Sequence, residues 1–73
     1  MDESQVIVKF GGHLKKLRLK KNISQEKLAF LCGLHPTYIS HLETGKKQPT
    51  LSTLISLAKS LEVKISELLS PFE

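Results

Sequence analysis

The sequence has no tryptophan, one tyrosine, three phenylalanines, one methionine and a single cysteine. One cysteine excludes an internal disulfide and any cysteine-rich metal cluster, and it suits a reducing compartment. No apolar run approaches the roughly 18 residues a membrane-spanning helix needs. The opening Asp2 and Glu3 is unlike the basic start of a secretory signal. The expected setting is cytoplasmic, with no membrane partner. Acids are missing from one region in particular, since none lies between Glu3 and Glu26.

That gap is filled by Lys9, Lys15, Lys16, Arg18, Lys20 and Lys21, and Lys46 with Lys47 forms a second basic cluster. Five of the seven acids gather near the ends, at Asp2, Glu3, Glu62, Glu67 and Glu73. The total of +4 is modest, but the uneven placement gives one basic side. Such a side is either a nucleic-acid footprint or a solvated lysine-rich face. With 73 residues and an apolar fraction of 40%, the chain is one small folded domain covering residues 1–73, for which a partner subunit would add burial.

The apolar pattern is helical throughout. Asp2 and Gln5 match a capping box, and Val6, Phe10, Leu14 and Leu17 form the stripe of a first helix over about residues 4–21. Gly11 and Gly12 fall inside that stripe, where each costs up to ~1 kcal/mol relative to alanine unless another element must come close. Ser24 caps a second helix carrying Leu28, Ala29 and Cys32 inward, and Gly33 stops it. Pro36 suits the first position of a third helix, which turns Ile39 and Leu42 inward and ends at Gly45. Thr50 caps a fourth helix with Leu51, Leu54, Ile55, Ala58 and Leu61 facing in. Ile65, Leu68, Leu69 and Phe72 give a last short helix, ended at or just before Pro71. The fold class is all-α, with five helices and no sheet.

Two short helices joined by a glycine turn make a helix-turn-helix over residues 24–45. Its close crossing needs a small residue, supplied by Ala29, and its turn needs a positive φ, supplied by Gly33. With Ile39 and Leu42 inward, the helical step puts Thr37, His41 and Thr44 on the opposite face, with Pro36 and Ser40 beside them.

Gln25, Ala29, Gly33, Ile39 and Leu42 stand at the spacings of the Cro/repressor-type, or XRE, family. The segments KLRLKKNISQEKLA and TYISHLETGKKQPTLSTLISLAKSLEV resemble the five-helix DNA-binding domain of phage repressors. SQEKLAFLCGLHPTYISHLETGK with so short a chain is similar to the controller proteins of restriction–modification systems. The resemblance implies a transcriptional regulator that binds the major groove of double-stranded DNA. It implies phosphate contacts by Gln25 with its adjacent backbone N–H, by Tyr38 and Thr44, and by Lys46 and Lys47. The base-reading positions it implies are Pro36, Thr37, Ser40 and His41. Pro36 offers only apolar contact there, for instance to a thymine methyl. It also implies an internal ion pair between Arg18 and Glu43.

Other chemistry finds little support. Cys32, His35 and His41 lack a fourth ligand and the usual pairing for zinc, so neither metal nor cofactor is expected. No acid–base pair, activated nucleophile or phosphate loop is visible, and an enzyme is not expected. No small-molecule ligand is expected either. Phe30 falls at a solvent-side position, as a lone exposed aromatic or as part of a contact. Leu57, Ile65, Leu68, Leu69 and Phe72 either close the bottom of the core or form a two-fold dimer patch centred on a helix over residues 64–72. The dimer is the reading adopted, and it implies a palindromic operator. An antitoxin, a phage-type repressor or a protein-interaction module without DNA could share this domain.

Overall fold

The computed structural model describes residues 1–73. Five helices follow one another: α1 (Glu3–Lys20), α2 (Gln25–Cys32), α3 (Pro36–Glu43), α4 (Leu51–Leu61) and α5 (Ile65–Leu68), with a 3-10 turn at Ser70–Phe72. There is no strand.

The expected caps are in place. Asp2 Oδ1 accepts from the Gln5 N–H at 2.9 Å, and the Asp2 N–H donates to Gln5 Oε1 at 2.8 Å, closing the capping box of α1. Ser24 Oγ accepts from the Lys27 N–H, and Thr50 Oγ1 from the Thr53 N–H. Gly33 ends α2 at φ 69°, and the next N–H, of Leu34, bonds back to the Ala29 carbonyl at 2.8 Å. That bond closes the turn between the two motif helices.

α1 runs unbroken through Gly11 and Gly12. The two glycines differ in what surrounds them. A Cβ on Gly11 would lie 2.6 Å from the Glu43 carbonyl oxygen and closer still to that of Leu42, whereas one on Gly12 would meet nothing within 4 Å. Gly11 is therefore where α1 crosses the end of α3 at backbone contact. Gly45, at φ 76°, tucks against Val8 of the same helix.

The core is a single aliphatic cluster. Phe10, Leu14 and Leu17 of α1 meet Leu28 and Ala29 of α2 and Ile39 and Leu42 of α3, with Leu57, Ala58, Leu61 and Leu68 closing the far side. Two expectations need correction here. Leu51 and Ile55 were expected to face in, yet they are 74% and 42% exposed. The apolar stripe of α4 is wider than the arc the core needs, and packing against α2 turns Leu57 inward together with the expected Ala58 and Leu61. Leu57 and Leu68, assigned to a dimer patch, have no exposed surface at all and belong to the core. The last helix is also shorter than expected, since α5 ends at Leu68 and Phe72 sits on the 3-10 turn.

Candidate nucleic-acid interface

The site rests on how α3 is held. Its buried side carries Ile39, Leu42 and Glu43. Glu43 accepts from Arg18 Nε at 2.6 Å and from Arg18 Nη2 at 3.0 Å, a two-bond fork between α1 and α3. The remaining Arg18 nitrogen, Nη1, donates to the Ile23 carbonyl at 2.8 Å. The hydrogen bond to Glu43 holds the Arg18 pKa above its ordinary value, opposed by burial and aided by the carboxylate's charge. Arg18 is thereby spent on its own fold and adds nothing to the outward basic side.

Gln25 joins the same network. Its Nε2 donates to Glu43 Oε1 at 3.0 Å, tying the start of α2 to the end of α3. One amide hydrogen is thus committed inward. The other has no partner within the chain, like the backbone N–H groups that the first turn of a helix leaves free.

The opposite side of α3 carries the expected polar set. Thr37 and Thr44 are exposed, and Pro36, Ser40 and His41 are half-buried along the same face. Tyr38 is half-buried and packs against the edge of the core. Thr44 Oγ1 donates to the Ser40 carbonyl at 2.8 Å, so its hydroxyl is anchored to the helix end. The His41 carbonyl accepts from the N–H groups of Lys46 at 2.8 Å and Lys47 at 3.2 Å. These bonds fold the lysine turn back under α3 and leave both lysine side chains exposed at its end.

One contributor escaped the sequence reading. His35 caps α3, its Nδ1 accepting from the Thr37 N–H at 3.1 Å. With Nδ1 as acceptor, the neutral ring carries its proton on Nε2. The only signal was its place before Pro36, because histidine is not among the common caps. Neither His35 nor Cys32 is arranged as a ligand: Cys32 Sγ lies 3.3 Å from Ser60 Oγ, donating to it. Phe30 stands 77% exposed, with the Lys27 ammonium 5.6 Å over its ring.

The surface is a short polar helix face whose C-terminal end is bordered by the lysine turn and, through the Gln25–Glu43 bond, by the start of α2. It can offer hydrogen bonds to base edges and cations to phosphates. No helix is long and apolar enough to cross a membrane.

Comparison with known proteins agrees with this geometry. A family model described as helix-turn-helix, HTH_3, matches residues 14–68. The control protein C.BamHI of Bacillus amyloliquefaciens is 46% identical over 61 residues, covering 82% of this chain and 75% of its own. The control protein C.MunI of a Mycoplasma species is 38% identical over 71 residues, covering 96% of both. Among solved structures, the restriction-modification controller protein C.AhdI from Aeromonas hydrophila superposes with a TM-score of 0.83 at 42% identity, over 85% of this chain and 94% of that one.

Proposed function

This chain belongs to the HTH_3 helix-turn-helix family of DNA-binding transcriptional regulators, and we propose from that premise that it is a restriction–modification controller acting as a homodimer on a palindromic operator. It works in the cytoplasm as one unit spanning residues 1–73, without a cofactor or small-molecule ligand and without catalysis. Thr37, Ser40 and His41 read base edges in the major groove, and Pro36 adds apolar contact. Lys46, Lys47, Thr44, Tyr38, the unpartnered amide hydrogen of Gln25 and its backbone N–H hold phosphates and fix register.

The observation that carries this reading is the two-sidedness of α3. One side is locked by Arg18, Glu43 and the backbone contact at Gly11. The other presents short polar side chains on a helix that cannot rock. A reading helix must keep its angle in the groove, because phosphate contacts set its register and base contacts then select.

The dimer is supported by apolar surface left outside the core on α4, α5 and the 3-10 turn. Leu51, Ile55, Ile65 and Phe72 remain exposed after the core is complete, with Leu69 half-buried beside them. A two-fold dimer reading half-sites one turn of DNA apart needs its two copies of α3 about 34 Å apart.

Selection of bound sequences from a random duplex pool tests the proposal. A palindromic consensus is expected, and His41→Ala or Thr37→Ala should flatten one position in each half-site, at about 1–3 kcal/mol per lost good contact. Absence of binding to any duplex at low salt would sink it.

A further inference from the structure

The last ten residues hold to the rest of the chain mainly by apolar packing, with Leu68 in the core and Leu69 against it. Their backbone hydrogen bonds are local, running from Leu68 to Lys64, Leu69 to Ile65, Phe72 to Leu69 and Glu73 to Ser70. Lys64 precedes α5 without a side-chain cap. One side chain of α5, Leu68, is fully buried. A single side-chain hydrogen bond reaches this segment from elsewhere: His13 Nε2 of α1 donates to the Glu67 carbonyl at 2.8 Å.

That bond is placed where it matters for orientation. The last carbonyls of a helix have no partner within it, and the Glu67 carbonyl is one of these. Leu68 and Leu69 pack against the core, but apolar packing is non-directional and leaves the angle of a one-turn helix loosely set. A directional bond one residue away removes that freedom. Ile65 and Phe72 lie to either side of it, and Leu69 and Phe72 line an apolar groove of about 410 Å³ whose other wall is Val6, Ile7 and Phe10 of α1.

We propose that His13 is the positioning residue of the dimer face: by holding the Glu67 carbonyl it sets the angle at which Ile65, Leu69 and Phe72 are offered to a second copy. The inference rests on the homodimer reading. It deepens that reading by assigning the alignment of the patch to a residue outside it, on the helix that also carries Arg18. In a two-fold assembly the bond is present twice, so its loss weakens association twice over.

The test compares the full chain with His13→Ala, His13→Gln and His13→Asn, by sedimentation equilibrium and by amide hydrogen exchange at dilutions where the chain is monomeric. The amide nitrogen of glutamine reaches about as far as Nε2, while that of asparagine stops near Nδ1. His13→Ala and His13→Asn should weaken dimerisation by about tenfold, the size expected for a neutral hydrogen bond lost in each copy. They should also speed exchange of the Leu68 and Leu69 amides, with α2 and α3 unchanged, and His13→Gln should restore both readouts. Wild-type exchange and wild-type dimerisation in His13→Ala would overturn the proposal while leaving the dimer intact. A wild-type chain that stays monomeric at high concentration would overturn the dimer reading itself, and the exchange pattern would still report whether His13 holds α5. Loss of protection spread equally over α2 and α3 in every variant would mark a general folding role and overturn the positioning one.

Discussion

Arg18 and Glu43, 25 residues apart, meet in a two-bond fork whose side chains are 8% and 2% exposed. Removing one partner from such a pair leaves a buried charge without its counter-ion, which costs about 3–5 kcal/mol. For a chain this short the total stability is roughly 4–11 kcal/mol, at 0.05–0.15 kcal/mol per residue. Arg18→Ala should therefore bring urea unfolding close to the onset of the titration. The double change Arg18→Met with Glu43→Leu should recover most of the loss, because an apolar pair of similar volume leaves no charge stranded. It should also keep the operator preference. A double variant that folds well but selects different sequences would show that Arg18 does more than hold α3.

The neighbouring glycines of α1 should respond with opposite signs. Gly11→Ala drives a methyl into the carbonyls of Leu42 and Glu43, so α1 and α3 must separate, and the overpacking cost is about 1–3 kcal/mol or more. Gly12→Ala meets open space and should stabilise by about 0.5–1 kcal/mol through reduced backbone entropy. Thermal melts of the two variants decide the matter, and equal shifts would contradict the close crossing.

Helix starts and stops were legible because each rests on neighbours within four residues. Asp2 with Gln5, Ser24, Gly33, Pro36 and Thr50 all performed as their chemistry requires. The ion pair was legible only through resemblance, because nothing local to Arg18 points to Glu43. What could not be read was which part of a broad apolar stripe faces inward. On α4 the residues Leu51, Leu54, Leu57, Ala58 and Leu61 cover more than the core-facing arc, and the choice among them is made by α2 and α5. The link from His13 to Glu67 spans 54 residues and ends on a backbone carbonyl, which carries no sequence identity. The inward bond of Gln25 was hidden for a related reason, since an amide at that position can turn either way.

The apolar residues left outside give a clean contrast. Leu51→Asp and Ile65→Asp should abolish dimerisation in sedimentation while leaving helicity unchanged, because both side chains are exposed in the single chain. Leu57→Ala should instead destabilise by about 2–5 kcal/mol, the range for emptying a buried leucine site. If Leu51→Asp unfolded the protein as Leu57→Ala does, the assignment of faces on α4 would be wrong.

The start of α1 should withstand acid until the pH is low. The Gln5 N–H, followed by the Ser4 hydroxyl, holds the Asp2 pKa below the usual aspartate range, against a small opposing effect of burial. A carboxyl depressed in the folded state contributes stability above its unfolded pKa and loses it as pH falls through the folded value. The first turn should thus fray only in strong acid. Asp2→Asn keeps a capping oxygen without the charge, so the protection factors of residues 3–6, relative to intrinsic exchange, should no longer fall in strong acid. An exposed cap moves global stability little, which makes local exchange the measurement of choice.

His35 offers the sharpest separation of folding from reading at the DNA face. Its Nδ1 accepts the Thr37 N–H, so it fixes the first turn of α3 and with it the direction of the Thr37 side chain. His35→Ala removes an acceptor at the cap, worth typically about 1 kcal/mol of helix stability. If Thr37 reads a base as proposed, the resulting fraying should relax preference at the position assigned to it. His35→Asn supplies a good cap of a different shape, and it should restore both stability and that preference. Two other results are informative. Preference lost in His35→Asn at full stability would show that the ring itself touches DNA, through the Nε2–H left free by the cap. Preference retained in His35→Ala would show that Thr37 does not depend on the cap, and that the reading face is held from its far end by Glu43 alone.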